Sequence, residues 1–545
     1  PDESPFVISI QAQARLAVIP VAKDSGNDIV TDNPVKGSDG VSEVGLFDVL
    51  RRGGFLGDNG DVVFPATLIL GSGDPAVTAD DASGLWKVDT AGTMWMLART
   101  SYPAPDVAGA VYDVLPTVPC INDAGEVTIL GAMRIGFGGV TSANDSAVWS
   151  ELGGSGFRIL VREGDAVAGL PGVAIGSFAS GVYATANTAP DKGEAAFSVK
   201  FKGASTNTAI LRASVDSTAG TIAMQVLARE TFAAPGVAPE VFGNVLGSFS
   251  DPARMDSDGN LVFAAVTKTG KEGIWYHPVG RVGDPDKVVF KGDTAAGTSG
   301  ATFSRIQRPT MGSNSVISFR ATLNKNGDNT GGKKGDGIWR GDASNPASFT
   351  CVLRSGDSGI AGMPGGSLIG NTWMGWLSNL NHGAWKVWLD VNGDGVSKAP
   401  TDVHALFTDA SGTLTMVAKV GDDAVGIVGA KYSSFEIPMI GGQEQMIFFG
   451  KITGPGVVAG VNDKCLWRQQ PNGGTLELVL RTGDPLATSL HGSKIVHNID
   501  FPGSDTTSTS DRRWEQAVMD ADGNIVVLVY FTDGTTSQAM VPAGL

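Results

Sequence analysis

Two short stretches decide the fold of this chain: Asp256-Ser-Asp-Gly-Asn-Leu-Val-Phe263 and, a few residues later, Gly273-Ile-Trp275. The first is an Asx-x-x-Gly turn that leads into a strand-forming run. This is hairpin chemistry, because the glycine accepts a positive φ and the Asp side chain caps the turn. The second is a small residue, an aliphatic residue and an aromatic one. Together they predict two neighbouring β-strands.

The Gly-Ile-Trp signature returns along nearly the whole chain. Its last residue is Trp86, Trp149, Leu211, Trp275, Trp339, Phe407, Trp467 and Met540, at spacings of 60 to 73 residues. Eight copies at nearly constant spacing indicate tandem repeats. Apolar bulk is retained in every copy, as packing between neighbouring repeats requires.

A second signature, an aliphatic pair, a basic residue and then Gly-Asp, keeps the same period. Its clearest copies contain Arg162, Arg354 and Arg481, and weaker ones surround Arg99, Arg229, Lys291 and Lys419. Each repeat therefore holds about four short strands, which predicts an all-β chain folded as a β-propeller of about eight four-stranded blades. A β-solenoid is the alternative, although its rungs are shorter. We interpret the repeated Trp and Arg residues as structural; the alternative is a ring of basic residues that binds an anion.

The first 20 residues lie outside the repeat. Phe6, Ile8, Ile10 and Leu16 fall on one apolar face of an alternating stretch of about 13 residues, which predicts a strand. Residues 1–20 are therefore an extended arm, 21–45 a linker leading into the first repeat, and 46–545 the eight-repeat propeller. The arm either completes a blade of its own chain, joins the sheet of another molecule as an assembly strand, or packs elsewhere.

Composition narrows the possible partners. The 75 glycines, spread without a collagen period, indicate many tight turns, and the net charge of −16 argues against nucleic acid and anionic membrane surfaces as partners. Without an apolar run of 18 residues, we expect no membrane span. The three cysteines make no disulfide framework, although one bridge remains open.

The combined pattern resembles a tandem-repeat family of exported bacterial proteins, many of which carry C-terminal sorting or anchoring signals. The resemblance covers roughly residues 46–545 and is clearest at Arg162 to Asp165, at Asp258 to Phe263 and at Gly337 to Trp339. It implies a secreted or cell-surface propeller and no particular reaction. The chain begins at Pro1, which either removal of an export signal or trimming explains.

Motifs for catalysis are missing from the sequence, so we lean against an enzyme and assign no catalytic residue. The five histidines show no paired ligand spacing. Calcium is the one cofactor with a local signal, because Asp390, Asn392 and Asp394 supply the first half of a calcium loop before a glycine. Thr401 stands where the bidentate glutamate is expected, so a plain acidic turn is the alternative. A weaker loop of this kind spans 324–329.

Three functional hypotheses follow. The first is an extracellular structural or assembly protein, self-associating through Phe6, Ile8, Ile10 and Leu16. The second is a propeller module that binds a glycan or a protein. The third is a polysaccharide-acting enzyme, whose mark would be acidic and histidine side chains that converge in space.

Overall fold

The computed structural model describes residues 7–10, 14–17, 35–36, 43–45, 47–50, 54–73, 75–90, 93–116, 119–154, 156–202, 208–245, 253–324, 335–373, 375–395, 401–488, 492–501, 518–534 and 536–541. Before residue 54 the description covers the backbone alone. The chain divides into two units. Unit 1 is Pro1–Glu230 with Gly483–Leu545, and unit 2 is Thr231–Thr482.

Four of the antiparallel sheets in unit 1 are blades, and we number the blades in chain order. Blade 1 is Phe47–Leu50 with Phe55–Leu56, then Val62–Leu68, Ser83–Val88 and Met94–Arg99. Blade 2 is Tyr112–Val114 with Cys120–Ile121, then Val127–Met133, Ser146–Ser150 and Arg158–Arg162. Blade 3 is Ala174–Ala189, Lys192–Lys202, Thr208–Asp216 and Thr221–Arg229. Blade 8 has Gly492–Asp500, Ile525–Phe531 and Thr536–Val541 as its first three strands, and Pro485–Thr488 pairs with the first of them.

Unit 2 contains the other four. Blade 4 is Ala253–Met255, Leu261–Val266, Glu272–His277 and Asp286–Phe290. Blade 5 is Phe303–Met311, Val316–Leu323, Asp336–Asp342 and Thr350–Arg354. Blade 6 is Leu368–Thr372 with Trp376–Leu377, then Gly383–Asp390, Val403–Thr408 and Thr415–Lys419. Blade 7 is Lys431–Phe435 with Met439–Gly441, then Gln445–Thr453, Lys464–Gln469 and Leu476–Arg481.

These eight sheets are the blades of a β-propeller fold, so the predicted fold class is confirmed. In the described residues the only helical elements are the 3₁₀ turns Pro346–Ser348, Gly442–Glu444 and Pro471–Gly473. Nowhere in the described ranges is there a helix long and apolar enough to cross a membrane.

The N-terminal arm differs from the single long strand that alternation predicts. It forms two strands, Val7–Ile10 and Ala14–Ala17, with Ile8 opposite Leu16. The second pairs with the last strand of the same chain, Ala17 opposite Met540, so both strands extend the sheet of blade 8. This is the intramolecular alternative for the arm. Phe6 lies outside the described residues. The segment predicted as linker contains a small ribbon, Val35–Lys36 paired with Glu43–Gly45.

A cross-strand pair of bulky apolar residues forms the centre of each blade. The residue that ends each Gly-Ile-Trp copy lies on the third strand, opposite a bulky residue of the second strand. The pairs are Phe64–Trp86, Ile129–Trp149, Phe197–Leu211, Phe263–Trp275, Phe319–Trp339, Trp385–Phe407, Phe448–Trp467 and Val526–Met540. In four of them a phenylalanine stacks on the tryptophan at 5.5 to 6.3 Å between ring centroids. Cross-strand aromatic pairs of this kind stabilise sheets beyond the area they bury.

Blade 6 exchanges the two members of this pair. Its tryptophan, Trp385, lies on the second strand and Phe407 on the third, and both are fully buried. In blade 6 the glycine again lies two residues before the tryptophan. A Cβ on Gly383 would collide with Trp385, as a Cβ on Gly273 would meet Trp275 at 2.7 Å. The signature Gly383-Ala-Trp385 therefore sits one strand early.

Each blade has two ends. The turn end carries the turns between its first and second strands and between its third and fourth. The crossover end carries the loop between the second and third strands and the crossover to the next blade. Crossover loops pack on the fourth strand of the blade that follows: Asp106 accepts a hydrogen bond from Ile159 N–H at 2.7 Å, and Met416 N–H donates to the Ala361 carbonyl at 2.8 Å. These contacts cover strand edges that would otherwise be exposed.

Candidate functional site

The repeated tryptophans connect the sheets to the crossover loops through hydrogen bonds. All five that the sequence singled out are fully buried: Trp86, Trp149, Trp275, Trp339 and Trp467. Four of them donate their indole N–H groups to crossover-loop carbonyls, those of Pro105, Pro235, Ala296 and Val425, at 3.0 to 3.4 Å. Each loop is thereby fastened to the sheet behind it. This supports the structural interpretation of these residues.

The repeated basic residues also make local contacts. Arg162 Nε donates to the Asn144 carbonyl at 2.6 Å, and Arg481 Nε donates to that of Asn462 at 2.8 Å. Both acceptors lie in the loop between the second and third strands of the same blade. The Gly-Asp aspartate caps the turn that follows: Asp357 accepts the backbone N–H of Arg354 at 2.7 Å. These side chains therefore hold the crossover end together.

The Asp390 and Asn392 side chains of the predicted calcium loop form hydrogen bonds within the loop itself. Asp390 accepts the N–H groups of Gly393 and Gly395 through its two carboxylate oxygens, each at 2.7 Å. Asn392 donates to Asp394 at 3.0 Å. Among the described residues, no group of three or more His, Cys, Asp or Glu side chains could hold a metal ion. The acidic-turn alternative accounts for these contacts, and the calcium hypothesis stays a prediction. Most of the weaker loop, residues 325–329, lies outside the described residues.

The three cysteines, Cys120, Cys351 and Cys465, are free thiols. A groove along Pro103–Val111 contains one ionisable side chain, that of Asp106, which is already bonded to Ile159. Neither feature brings reactive groups together.

The histidines lie in different surroundings. His277 is fully buried and His497 is exposed, while His491 lies outside the described residues. His404 lies edge-on to Trp373 and Trp388, with centroids 5.2 and 4.4 Å away. His382 meets a carboxylate, that of Glu444, and its surroundings follow from the geometry of the turns between first and second strands.

Outside blade 3, where two residues separate the strands, these turns contain five residues, which we number as turn positions 1 to 5. In blades 1, 2, 4, 6 and 8, position 1 donates its N–H to the carbonyl of position 5, and position 4 donates to that of position 1, as in Asp256–Asn260 and Asp520–Asn524. Position 4 is glycine in blades 1, 2, 4 and 8, with φ between +80° and +87° at Gly60, Gly125, Gly259 and Gly523. Only glycine adopts this left-handed conformation without steric cost.

Blades 5, 6 and 7 break the glycine rule. Position 4 is Ser315 (φ +63°), Asn381 (φ +68°) and Glu444 (φ +57°). Each contacts the turn of the preceding blade: Ser315 N–H, for example, donates to Asp256 at 2.9 Å. A left-handed residue other than glycine or asparagine costs about 1–2 kcal/mol, and such strain concentrates at functional sites. Three consecutive exceptions therefore mark this turn end as the candidate site.

Glu444 is the centre of the cluster. Its side chain is 1% exposed, and its carboxylate accepts hydrogen bonds from the Ser378 hydroxyl and from His382 Nδ1, the latter at 2.9 Å. Ser378 and His382 are positions 1 and 5 of the blade 6 turn, and the Ser378 oxygen accepts the His382 N–H at 3.2 Å. Burial raises the pKa of Glu444, and the bonds from Ser378 and His382 oppose that rise. The carboxylate thus fixes the imidazole, whose ring remains 32% exposed.

An ion pair lies at the same turn. Arg340 contacts Asp409 at 2.6 Å and donates to the Asn381 carbonyl at 2.9 Å, one residue before His382. Asp409 also accepts the Gly383 N–H at 2.6 Å. The guanidinium is 24% exposed, whereas the Asp409 side chain is 7% exposed. A cation, an oriented imidazole and two buried carboxylates therefore converge within three adjacent blades.

Unit 1 has a related but simpler arrangement. Lys87, which follows Trp86 as Arg340 follows Trp339, lies 3.4 Å from Asp61 and 3.5 Å from Glu151. Burial raises the pKa of Glu151, and the neighbouring ammonium of Lys87 opposes this. No histidine takes part among the described contacts, and position 4 of both turns is glycine.

The sequence analysis did not identify this cluster, because its members lie in three different repeats: Ser378, His382, Arg340, Asp409 and Glu444. One signal was available. Aligning the turns on their glycines would have shown a glutamate at position 4 of blade 7.

The sequence model of a family of unknown function, DUF7453, matches residues 56–541. The chain belongs to this family. The match covers all eight repeats and assigns no reaction to DUF7453 proteins. No curated protein matches the sequence. The exported repeat family that the motifs resemble remains a prediction.

Solved structures similar to this DUF7453 chain share little sequence with it. The WD40 domain of SCAP from fission yeast has 8% identity and a TM-score of 0.36, covering 99% of this chain and 98% of its own. The polysaccharide lyase Uly1 has 8% identity and a TM-score of 0.35, covering 96% and 99%. A TolB-like protein from Agrobacterium tumefaciens has 10% identity and a TM-score of 0.25, covering 71% and 94%. At these scores the likeness carries no functional assignment.

Proposed function

We propose that this chain is a glycan-binding propeller whose site is the turn end of blades 5, 6 and 7. The observation that carries the proposal is Glu444, a buried carboxylate in a left-handed position that other blades give to glycine. Its bond to Nδ1 holds the His382 ring and leaves Nε2 as the remaining polar atom of that ring. A binding site needs such fixed polar groups to orient a ligand.

The chemistry of the exposed groups favours a sugar over a protein partner. His382 and Arg340 supply polar contacts, and Leu380 of the same turn is 64% exposed. A sugar ring presents hydroxyls to the first two and a C–H surface to the leucine. Protein interfaces instead centre on clustered aromatic anchors, and the described residues of this turn end present no such cluster to solvent.

The test is binding to a glycan array, followed by calorimetry on the best ligand. We expect His382→Ala to weaken binding by about 10-fold, since a hydrogen bond from the imidazole to the ligand is lost. His497→Ala removes an exposed histidine outside the cluster and should bind as the unchanged chain does. An array without hits, or equal affinities for both variants, would contradict the proposal.

Self-association through the N-terminal arm is the second candidate, and its support is weaker. Ala14–Ala17 is already paired within its own chain, and Val7–Ile10 lies beside Pro485–Thr488. Light scattering of the full chain decides this point, because a monomer mass at every concentration would exclude an assembly role. Export to the cell surface is proposed on the repeat resemblance alone. Fractionation of the producing cells would test it.

A further inference from the structure

Glu444 has structural features that ligand binding alone does not require. Its backbone is strained, its carboxylate is buried, and the Ser378 hydroxyl and His382 Nδ1 that bind this carboxylate belong to one turn. Holding an imidazole by Nδ1 with a buried carboxylate is the arrangement by which hydrolases orient a general base. Because an ionised carboxylate can only accept, Nδ1 carries the proton and Nε2 is left basic.

Ser378 is excluded as the nucleophile by its own bonds. Its hydroxyl donates to Glu444, and its oxygen accepts the N–H groups of Leu380 and His382, each at 3.2 Å. A serine nucleophile must instead donate to the imidazole. In this cluster the histidine therefore has solvent water, rather than a side chain, to activate.

We propose that His382 and Glu444 form a general-base dyad that hydrolyses acyl esters on the bound glycan, with water as the nucleophile. This inference rests on the proposed glycan binding. His382 Nε2 takes a proton from water as the water oxygen bonds to the acyl carbon. The tetrahedral intermediate then breaks its bond to the sugar oxygen, which receives that proton from His382. The products are a carboxylic acid and the free sugar hydroxyl.

An ester suits this set of residues better than the other linkages of glycans. Hydrolysis of a glycosidic bond needs a pair of carboxyl groups on either side of the bond. Here one carboxylate is bonded to His382 and the other to Arg340, so neither is available. An ester has an alkoxide leaving group that one imidazole can protonate. Arg340 donates to the Asn381 carbonyl, one residue before His382, and is the cation that we assign to the developing oxyanion.

The experiment measures acetate release from acetylated xylan oligosaccharides and from 4-nitrophenyl acetate. We expect His382→Ala to lower kcat/KM by at least about 100-fold on the oligosaccharide. His497→Ala is the matched control and should keep the full rate. If both variants hydrolyse at the same rate, or the unchanged chain releases no acetate, the dyad is wrong.

Glu444 is a positioning residue, and Glu444→Gly tests it without imposing strain, since glycine is the residue of four other turns. We expect kcat to fall about 10- to 100-fold while KM changes by less than about 2-fold, because the imidazole loses the carboxylate that orients it and the ligand contacts remain. An unchanged kcat, or a fall in kcat/KM that comes from KM alone, would overturn the positioning role. Mass spectrometry should show no acetyl group on Ser378, and finding one would overturn water as the nucleophile.

Binding and hydrolysis separate the two proposals. Glycan binding that requires His382 but releases no acetate from any ligand leaves the binding proposal standing and overturns the dyad. Absence of both binding and hydrolysis overturns both.

Discussion

The turn ends of blades 1–2 and of blades 5–7 have the same architecture and differ in the residue at turn position 4. In unit 1, glycines at position 4 let the turns close without strain, and Lys87 neutralises the carboxylates around it. In unit 2, the same position carries Ser315, Asn381 and Glu444, all left-handed. The cation has the same place in both, as Arg340 follows its tryptophan and Lys87 follows Trp86.

The difference shows what a repeat protein can change without losing its fold. Strands and aromatic pairs bear the packing, so a turn can exchange glycine for a functional side chain at a cost of about 1–2 kcal/mol. Only in unit 2 does the exchange place a buried carboxylate against a histidine, Glu444 against His382. A strained turn residue that is not needed for the packing of the strands indicates a functional role.

The largest expected effect comes from breaking the ion pair of the strained turn end. Arg340→Met leaves Asp409 buried without its cation and should lower the free energy of unfolding by about 2–3 kcal/mol. Denaturation in urea measures this. Arg134→Met is the control, because Arg134 pairs with the exposed Asp80 and Asp113 and its removal should change stability by less than about 1 kcal/mol. Equal losses in the two variants would contradict the burial argument.

A second effect tests the glycine rule in unit 1. Gly125→Ala adds a Cβ at φ +80°, within 2.5 Å of the side chains of Asn59 and Asp61. We expect a loss of about 2 kcal/mol in the free energy of unfolding, from the left-handed backbone and the collision. The thermal midpoint should fall accordingly.

The reverse substitution is the control for that effect. Asn381→Gly restores glycine at the same turn position in blade 6 and should change stability by no more than about 0.5 kcal/mol, because asparagine tolerates this conformation. A neutral Gly125→Ala variant would show that position 4 does not require glycine. The strain assigned to Glu444 would then have no basis.

The smallest effect is a pH dependence confined to the strained turn end. Burial raises the pKa of Glu444 above its ordinary value near 4.5, with opposing contributions from Ser378 and His382. A carboxyl with a raised pKa favours the folded state while it is protonated. That contribution is complete below about pH 4.5 and is lost as the pH rises through the raised value. Thermal midpoints measured from pH 4 to pH 8 should therefore fall more steeply for the unchanged chain than for Glu444→Gly. Parallel curves would mean that Glu444 titrates alike in both states.

Much of the fold could be predicted because the residues that form each blade recur at a nearly constant period. The Trp and Arg-x-Gly-Asp signatures recur at one period, and each recurrence corresponds to a blade. Trp385 lies outside the predicted series, because that series has its aromatic residue on the third strand and blade 6 places it on the second. The arm was expected as one strand, yet alternation alone cannot show that Val7–Ile10 pairs with Ala14–Ala17.

The candidate site could not be read from the sequence in the same way. His382 and Glu444 are 62 residues apart and belong to different repeats, so no local spacing joins them. Their contact depends on the backbone conformation of Glu444, and nothing in its neighbours Gln443 and Gln445 indicates a left-handed residue. The hypothesis of an enzyme with converging acidic and histidine side chains described the kind of evidence needed without naming these residues.

The exchanged pair in blade 6 has a consequence for the history of these repeats. Trp385 and Phe407 fill the space that Phe263 and Trp275 fill in blade 4, so the blade selects the pair and tolerates either order. The two positions should then covary among related repeats, drifting through doubly aromatic intermediates of near-equal fitness. A count of repeats that requires tryptophan at one position would miss such blades, whereas a count that requires the aromatic pair would include them.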